Sequence, residues 1–256
     1  FYTVDGVSAG NIAKWDGNAW SPLGTGLNHE ALGLASYRNE LYAAGFFDTA
    51  GGVPAGYIAR WNGSSWSPAG LGFNNVANVM CIYNDNLIVG GWFTTAGGEP
   101  AGSIASWDGA RWTNMNIGMN GPVYSLKVYN GQLYAGGEFD NSGTETCNGI
   151  ARWDGVKWNS LGAGVAGGDK AVYTLEVYDG ELYAGGSFIK MDNMFCYNIA
   201  KYNGTSWSIT GSGATGANCN VSQGYVTALK ICSNELYAAG QFSSMNGIVA
   251  NKLAKF

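Results

Sequence analysis

One histidine, His29, and five cysteines, Cys81, Cys147, Cys196, Cys219 and Cys232, are the residues of this chain with the widest chemical repertoire. Their spacing argues against most of it. A serine–histidine–acid triad needs an imidazole held beside a nucleophile, and His29 has no such neighbour in sequence, so it reads as a surface residue with at most a binding role. The cysteines form no CxxC pair and are irregularly spaced, so no metal site is expected. Cys81 and Cys232 lie inside apolar runs and read as buried thiols. The 18 acidic residues are scattered, none within a motif. Glycosidase chemistry needs two carboxyls converging on one bond, and nothing in the spacing brings a pair together. The expectation is a non-enzyme that carries no cofactor, with a glycosidase or lyase as the least favoured reading.

The elements that would position any site are repeats. Ile12-Ala13-Lys14-Trp15-Asp16-Gly17 returns as Ile58-Ala59-Arg60-Trp61-Asn62-Gly63, as Ile104-Ala105-Ser106-Trp107-Asp108-Gly109, as Ile150-Ala151-Arg152-Trp153-Asp154-Gly155 and as Ile199-Ala200-Lys201-Tyr202-Asn203-Gly204. The isoleucines stand 46, 46, 46 and 49 residues apart, and a partial copy starts at Leu253. A second phrase, Leu-Tyr-Ala-Gly-Gly in the copies at Leu133 and Leu182, runs out of phase with the first and also occurs five times. Each period parses into four short strands, A to D, such as 123–129, 132–139, 150–153 and 158–161. Asn130-Gly131 and Asp179-Gly180 between A and B, and Asp-Gly or Asn-Gly between C and D, predict type I′ hairpin turns throughout. Four antiparallel strands per period of this length are the signature of a propeller blade. The reading is an all-β, five-bladed β-propeller, one domain over residues 1–256, with repeats of about 46 residues.

The double glycine of Gly136-Gly137, followed by Trp153 and Trp158, resembles the kelch pattern. The full wording Ile-Ala-Arg-Trp-Asp-Gly-x-x-Trp-x-x-Leu-Gly is similar to kelch-like repeats of secreted bacterial surface proteins, of the type IX-secreted, Bacteroidetes-like kind. That resemblance covers the chain and implies a propeller displayed outside the cell or at its surface. Propellers host many functions, so it implies little about the ligand.

Against this repeat, the candidate site residues are those that packing does not demand. Nine of the ten tryptophans recur at fixed register and read as packing residues. Trp92 is the exception, because its equivalents are Phe46, Glu138, Ser187 and Gln241, and it is the leading contact candidate. Repeats four and five are lengthened around Asp169-Lys170 and over residues 211–224, which include Asn218 and Asn220; loops that vary on a repeated scaffold are the usual binding surface. Lys127, Glu176 and Lys230 occupy matching positions in consecutive strands A and could form an ion-pair ladder or stand as separate solvated charges. Cys196 and Cys219 fall in loop types that share one face of a propeller, so a disulfide between them is one reading and free thiols are the other. Asn62, Asn203 and Asn220 match glycosylation acceptors, though the first two are explained by their turns.

The ends hold one strand too many. Phe1 aligns with Phe47, Phe93, Phe139, Phe188 and Phe242, so residues 1–15 and 242–256 are copies of one part of the repeat. Either the chain is cut from a longer array, or two candidate strands C compete for one slot. In the second case the loser could add to a neighbouring molecule and build a head-to-tail filament.

Net charge is −5 with no basic run, which excludes the electrostatic footprint of a nucleic-acid binder, and no apolar stretch is long enough for a membrane helix. The expected role is a non-enzymatic extracellular or cell-surface module that binds a glycan or protein in adhesion. The alternative is a structural subunit that self-associates through its terminal strands.

Overall fold

The computed structural model describes residues 1–216 and 224–256, and these are all-β without a helix. The chain divides into two compact units, residues 1–118 and 119–256. In the first, strands A to D run as Ala31–Tyr37, Glu40–Gly45, Ile58–Trp61 and Trp66–Pro68, side by side in that order, and again as Ala77–Tyr83, Asn86–Gly91, Ile104–Trp107 and Trp112–Asn114. In the second they run as Val123–Tyr129, Gln132–Gly137, Ile150–Trp153 and Trp158–Ser160, and as Ala171–Tyr178, Glu181–Ser187, Ile199–Tyr202 and Trp207–Ile209. All pairings are antiparallel, which gives repeated four-stranded, blade-like sheets.

The turns obey two rules rather than the single one expected. Between A and B both central residues have positive φ, 48° and 73° at Asn130-Gly131, as a type I′ turn requires. The copies without glycine, such as Arg38-Asn39 at 50° and 63°, do the same. Between C and D the type I′ expectation is corrected. Only the glycine is at positive φ, and Trp153 pairs with Trp158 across a four-residue loop. The acid's side chain organises that loop: Asp154 Oδ1 accepts from the amides of Val156 and Lys157, each at 2.8 Å.

A small two-stranded ribbon, absent from the four-strand parse, covers each B-to-C connection, for example Thr49–Ala50 with Val53–Pro54. The Ala-Gly-Gly spelling at Ala50 and again at Ala96 was its signal.

Sheets stack through matched volumes. A Cβ on Gly136 would stand 2.5 Å from Ser125 Oγ on its own strand A and 2.6 Å from Val172 Cγ1 on the next, and one on Gly185 would stand 2.9 Å from Thr174 Cγ2 and 2.7 Å from Val226 Cγ1. In the first unit the pair is Ala44 and Ala77, small against small, in one buried cluster. The first glycine of the Gly-Gly pair is therefore set by the facing residue together with the side chain beside it on its own strand A, which is Ser125 at Gly136 and Gly33 at Ala44.

Leu253–Lys255 pairs with Glu235–Gln241, which also pairs with Tyr225–Cys232, in a three-stranded sheet. Its homologue at the other end, Ala13–Trp15, pairs with Trp20–Pro22 in a two-stranded sheet.

Candidate functional site

In residues 119–256 the starts of three strands A bring three phenols into a row. The rings of Tyr124 and Tyr173 are 5.6 Å apart, and those of Tyr173 and Tyr225 are 6.3 Å apart, nearly edge to face. All three are half-buried. The register that pairs the start of A with the end of B fixes what lies beside them. Tyr124 Oη donates to Glu138 Oε2 at 3.1 Å, and Tyr225 Oη donates to Gln241 Oε1 at 2.7 Å. Ser187 Oγ donates to Asp169 Oδ2 at 2.9 Å and accepts from the Asp169 amide at 3.3 Å.

Desolvation, reinforced by the bond to Glu138, pushes the Tyr124 phenol well above its ordinary pKa. Desolvation and the charge of Asp169 push Tyr173 up as well. These phenols stay protonated donors across the physiological range. The row offers aromatic faces, exposed carboxylates at Glu138 and Asp169, and an amide. Such a set can stack on a ligand's apolar face while bonding to its hydroxyls or amines.

Trp92, the leading sequence candidate, is about half exposed just after its strand B, in the first unit. There His29 pairs with Glu30, and its ring lies 5.7 Å from exposed Phe46. Asp169 joins the tyrosine row through Ser187, and Lys170 is exposed beside it at φ 57°. Asn218, Asn220 and Cys219 lie outside the described residues. Sequence reasoning found Glu138, Ser187 and Gln241 only as the equivalents of Trp92 and missed the tyrosines. The signal was a tyrosine five residues before the end of strand A in two consecutive repeats, Tyr124 and Tyr173.

The charged series sits farther along the same strands. Glu176 is buried, pairs with Lys127, and has Lys230 Nζ 3.7 Å from its other oxygen. Lys230 itself is largely exposed. The three charges are thus in mutual contact through one central carboxylate.

Cys196 is a buried free thiol that burial pushes up to about 12, and its repeat equivalent Cys147 is pushed up to about 11. The expectation of two further buried thiols is corrected: Cys232 is exposed and Cys81 is half-buried, because a strand sends alternate side chains to opposite faces, so an apolar run does not bury every member. Among the described residues no cluster of three metal-ligating side chains forms.

No family model matches the chain, and no curated protein matches it. Solved structures do. The computationally designed Ika8 protein is 14% identical, with a TM-score of 0.55 over 91% of this chain and 69% of that one. The computationally designed Ika4 protein is 12% identical, with a TM-score of 0.45 over 70% of this chain and 94% of that one. The likeness to Ika8 concerns the fold alone.

Proposed function

We propose that the blade-like sheets belong to a β-propeller with five repeats in this chain, of the kelch-like kind found on secreted bacterial proteins. It works outside the cell or at its surface as a non-enzymatic binding module. The observation that carries this reading is the row Tyr124, Tyr173 and Tyr225 with Glu138, Gln241 and Asp169 around it. Stacking faces flanked by acceptors suit a hydroxyl-rich ligand, so the ligand class is a glycan, free or on a surface protein. Three half-buried rings, the outer two held by hydrogen bonds to Glu138 and Gln241 and the middle one packed between them, lose little freedom when a ligand arrives, which favours affinity from a modest area.

A glycan array followed by titration calorimetry tests it. The wild-type chain should retain at least one glycan class, and Tyr173→Ala should weaken that binding about tenfold or more. Absence of any glycan bound, or equal affinity in Tyr173→Ala, would remove the reading.

A further inference from the structure

The tyrosine row carries a charge that a hydroxyl-rich ligand alone does not use. The residue after the Ala-Gly or Gly-Gly of strand B is Glu138, Ser187 and Gln241 in three consecutive repeats, so only the first is an acid. Ser187 is too short to place a carboxylate there, and the lengthened fourth repeat supplies one instead. Asp169 Oδ2 accepts from Ser187 Oγ at 2.9 Å, and Ser187 Oγ accepts in turn from the Asp169 amide at 3.3 Å. The carboxylate is thereby held beside the position that Glu138 occupies in the preceding repeat.

Both acids bear on the middle ring. Desolvation is the largest cause that raises the Tyr173 phenol, and the charges of Asp169 and then Glu138 follow. Charges act on a phenol in this way at short range. Among the described residues the Tyr173 hydroxyl makes no hydrogen bond within the protein, whereas its neighbours donate to Glu138 and Gln241.

The protein does not neutralise either acid. Among the described residues no cation lies within ion-pair distance of Glu138 or Asp169. Each spends one carboxylate oxygen on a neutral hydroxyl, Glu138 Oε2 on Tyr124 and Asp169 Oδ2 on Ser187, and both residues are exposed. The cations farther along the same strands are engaged already, since Lys127 and Lys230 both face Glu176. Lys170 follows Asp169 in sequence and is exposed, but it does not pair with it.

Aromatic faces, uncompensated negative charge and an unpaired phenol thus meet at Tyr173. Ring faces attract cations, and a hydrogen bond from an ammonium to a carboxylate is about twice as strong as a neutral one. A neutral sugar gains neither advantage, and an acidic sugar is repelled.

We propose that the row selects amine-bearing glycans, with a protonated amino group of the sugar bonded to Glu138 and Asp169 over Tyr173. This rests on the glycan reading and adds the charge of the ligand to it. The occupant is a glycan rather than one basic side chain because three rings stand in line, which a chain of sugar rings can follow and a single ammonium cannot fill. Gln241, neutral and bonded to Tyr225, marks the end of the row that takes an uncharged sugar unit.

Titration calorimetry on the 256-residue chain tests it with three probes: an oligomer of glucosamine, its fully N-acetylated counterpart and the matching glucose oligomer, at a pH where the amines are protonated. The glucosamine oligomer should bind about tenfold tighter than either neutral one, and the preference should shrink as salt is raised. Glu138→Gln and Asp169→Asn should each cut the preference about threefold or more while leaving neutral-oligomer binding nearly unchanged. Lys170→Gln should enlarge it. Asp179→Asn removes the same charge at the turn on the far end of strand A and should change nothing, which separates the site from the net charge of −5. Equal affinity for the three oligomers, each weakened by Tyr173→Ala, overturns the amine assignment and leaves the glycan reading standing. A preference reduced as much by Asp179→Asn as by Asp169→Asn overturns it too, as a general attraction to an acidic protein. A lysine oligomer that binds as tightly and competes overturns it by assigning the row to a basic peptide. Absence of binding by every oligomer, here and on the array, removes the glycan reading and this inference together.

Discussion

The hairpin at Ala13–Trp15 and Trp20–Pro22 and the hairpin at Ile150–Trp153 and Trp158–Ser160 are built from nearly the same words, yet they differ in burial. Both pair their tryptophans across a four-residue loop, with ring centroids 5.3 Å apart in one and 5.2 Å in the other. Both loops are organised by an aspartate that accepts two backbone amides. But Trp15 is 48% exposed and Trp20 is 37% exposed, whereas Trp153 and Trp158 are buried. Local geometry is thus a property of the phrase, and burial is a property of the neighbours. The apolar surface that an internal repeat buries against its neighbours is left partly exposed at Trp15 and Trp20.

The comparison breaks most visibly at the tryptophans. Trp158→Ala should cost about 3–5 kcal/mol in chemical denaturation, the usual range for emptying a buried aromatic site. Trp20→Ala should cost less than about 1 kcal/mol, as surface truncations do. Equal losses would mean that the two hairpins share one environment.

The stacking rule comes next. Gly136→Ala places a methyl against both Ser125 and Val172 and should cost about 1–3 kcal/mol by overpacking. Adding both Val172→Ala and Ser125→Gly reproduces the surroundings of Ala44, which shares a cluster with Ala77 and pairs with Gly33, and should recover most of that loss. A purely additive triple variant would refute volume matching.

Charge distinguishes the units less strongly. Ala35 and Cys81 stand in the first unit where Lys127, Glu176 and Lys230 stand in the second. Glu176→Gln leaves Lys127 facing a neutral amide and should cost about 1–3 kcal/mol, measured by thermal or urea unfolding. Unchanged stability would show the three charges to be independent.

The smallest effect sharpens the comparison by its sameness. The amides of Lys157 and Val156 hold Asp154 down at about 2, and those of Ala19 and Asn18 lower Asp16 in the same way. A carboxylate depressed in the folded state contributes stability above its unfolded pKa, and that contribution is lost as pH falls through the folded value. For Asp154 the window runs from about 4 down to about 2. Carboxyl chemical shifts followed through an acid titration should place both residues below an ordinary aspartate. A normal midpoint for Asp16 alone would show that the turn needs its buried setting.

The strands, their order within a sheet and the A-to-B turns were legible in the chain because each rests on short-range rules: alternation, the Asn-Gly turn and the repeated phrase. The C-to-D loops were misread, because Asp-Gly serves both a two-residue turn and a side-chain-capped four-residue loop, and the dipeptide alone does not distinguish them. Of the candidate site, the position after strand B was legible at Trp92 as a break in the repeat, and Asp169 as part of an insertion. The tyrosine row was not. Tyr124 and Tyr173 share one offset, but Tyr225 lies two residues earlier relative to the end of its strand, and only the stacking of sheets brings the three rings together.

What the amino-acid sequence determined by itself is the repeating unit: which residues pair, which turn, and which tryptophans recur. These follow from hydrogen bonding and side-chain alternation within a few dozen residues. The tertiary structure alone decided which copies are covered, that Glu176 joins two lysines, and that Trp15 and Trp20 stand more exposed than Trp153 and Trp158. Those outcomes depend on what packs against each sheet from outside its own stretch of chain, and a repeat written almost identically each time carries little record of its neighbours.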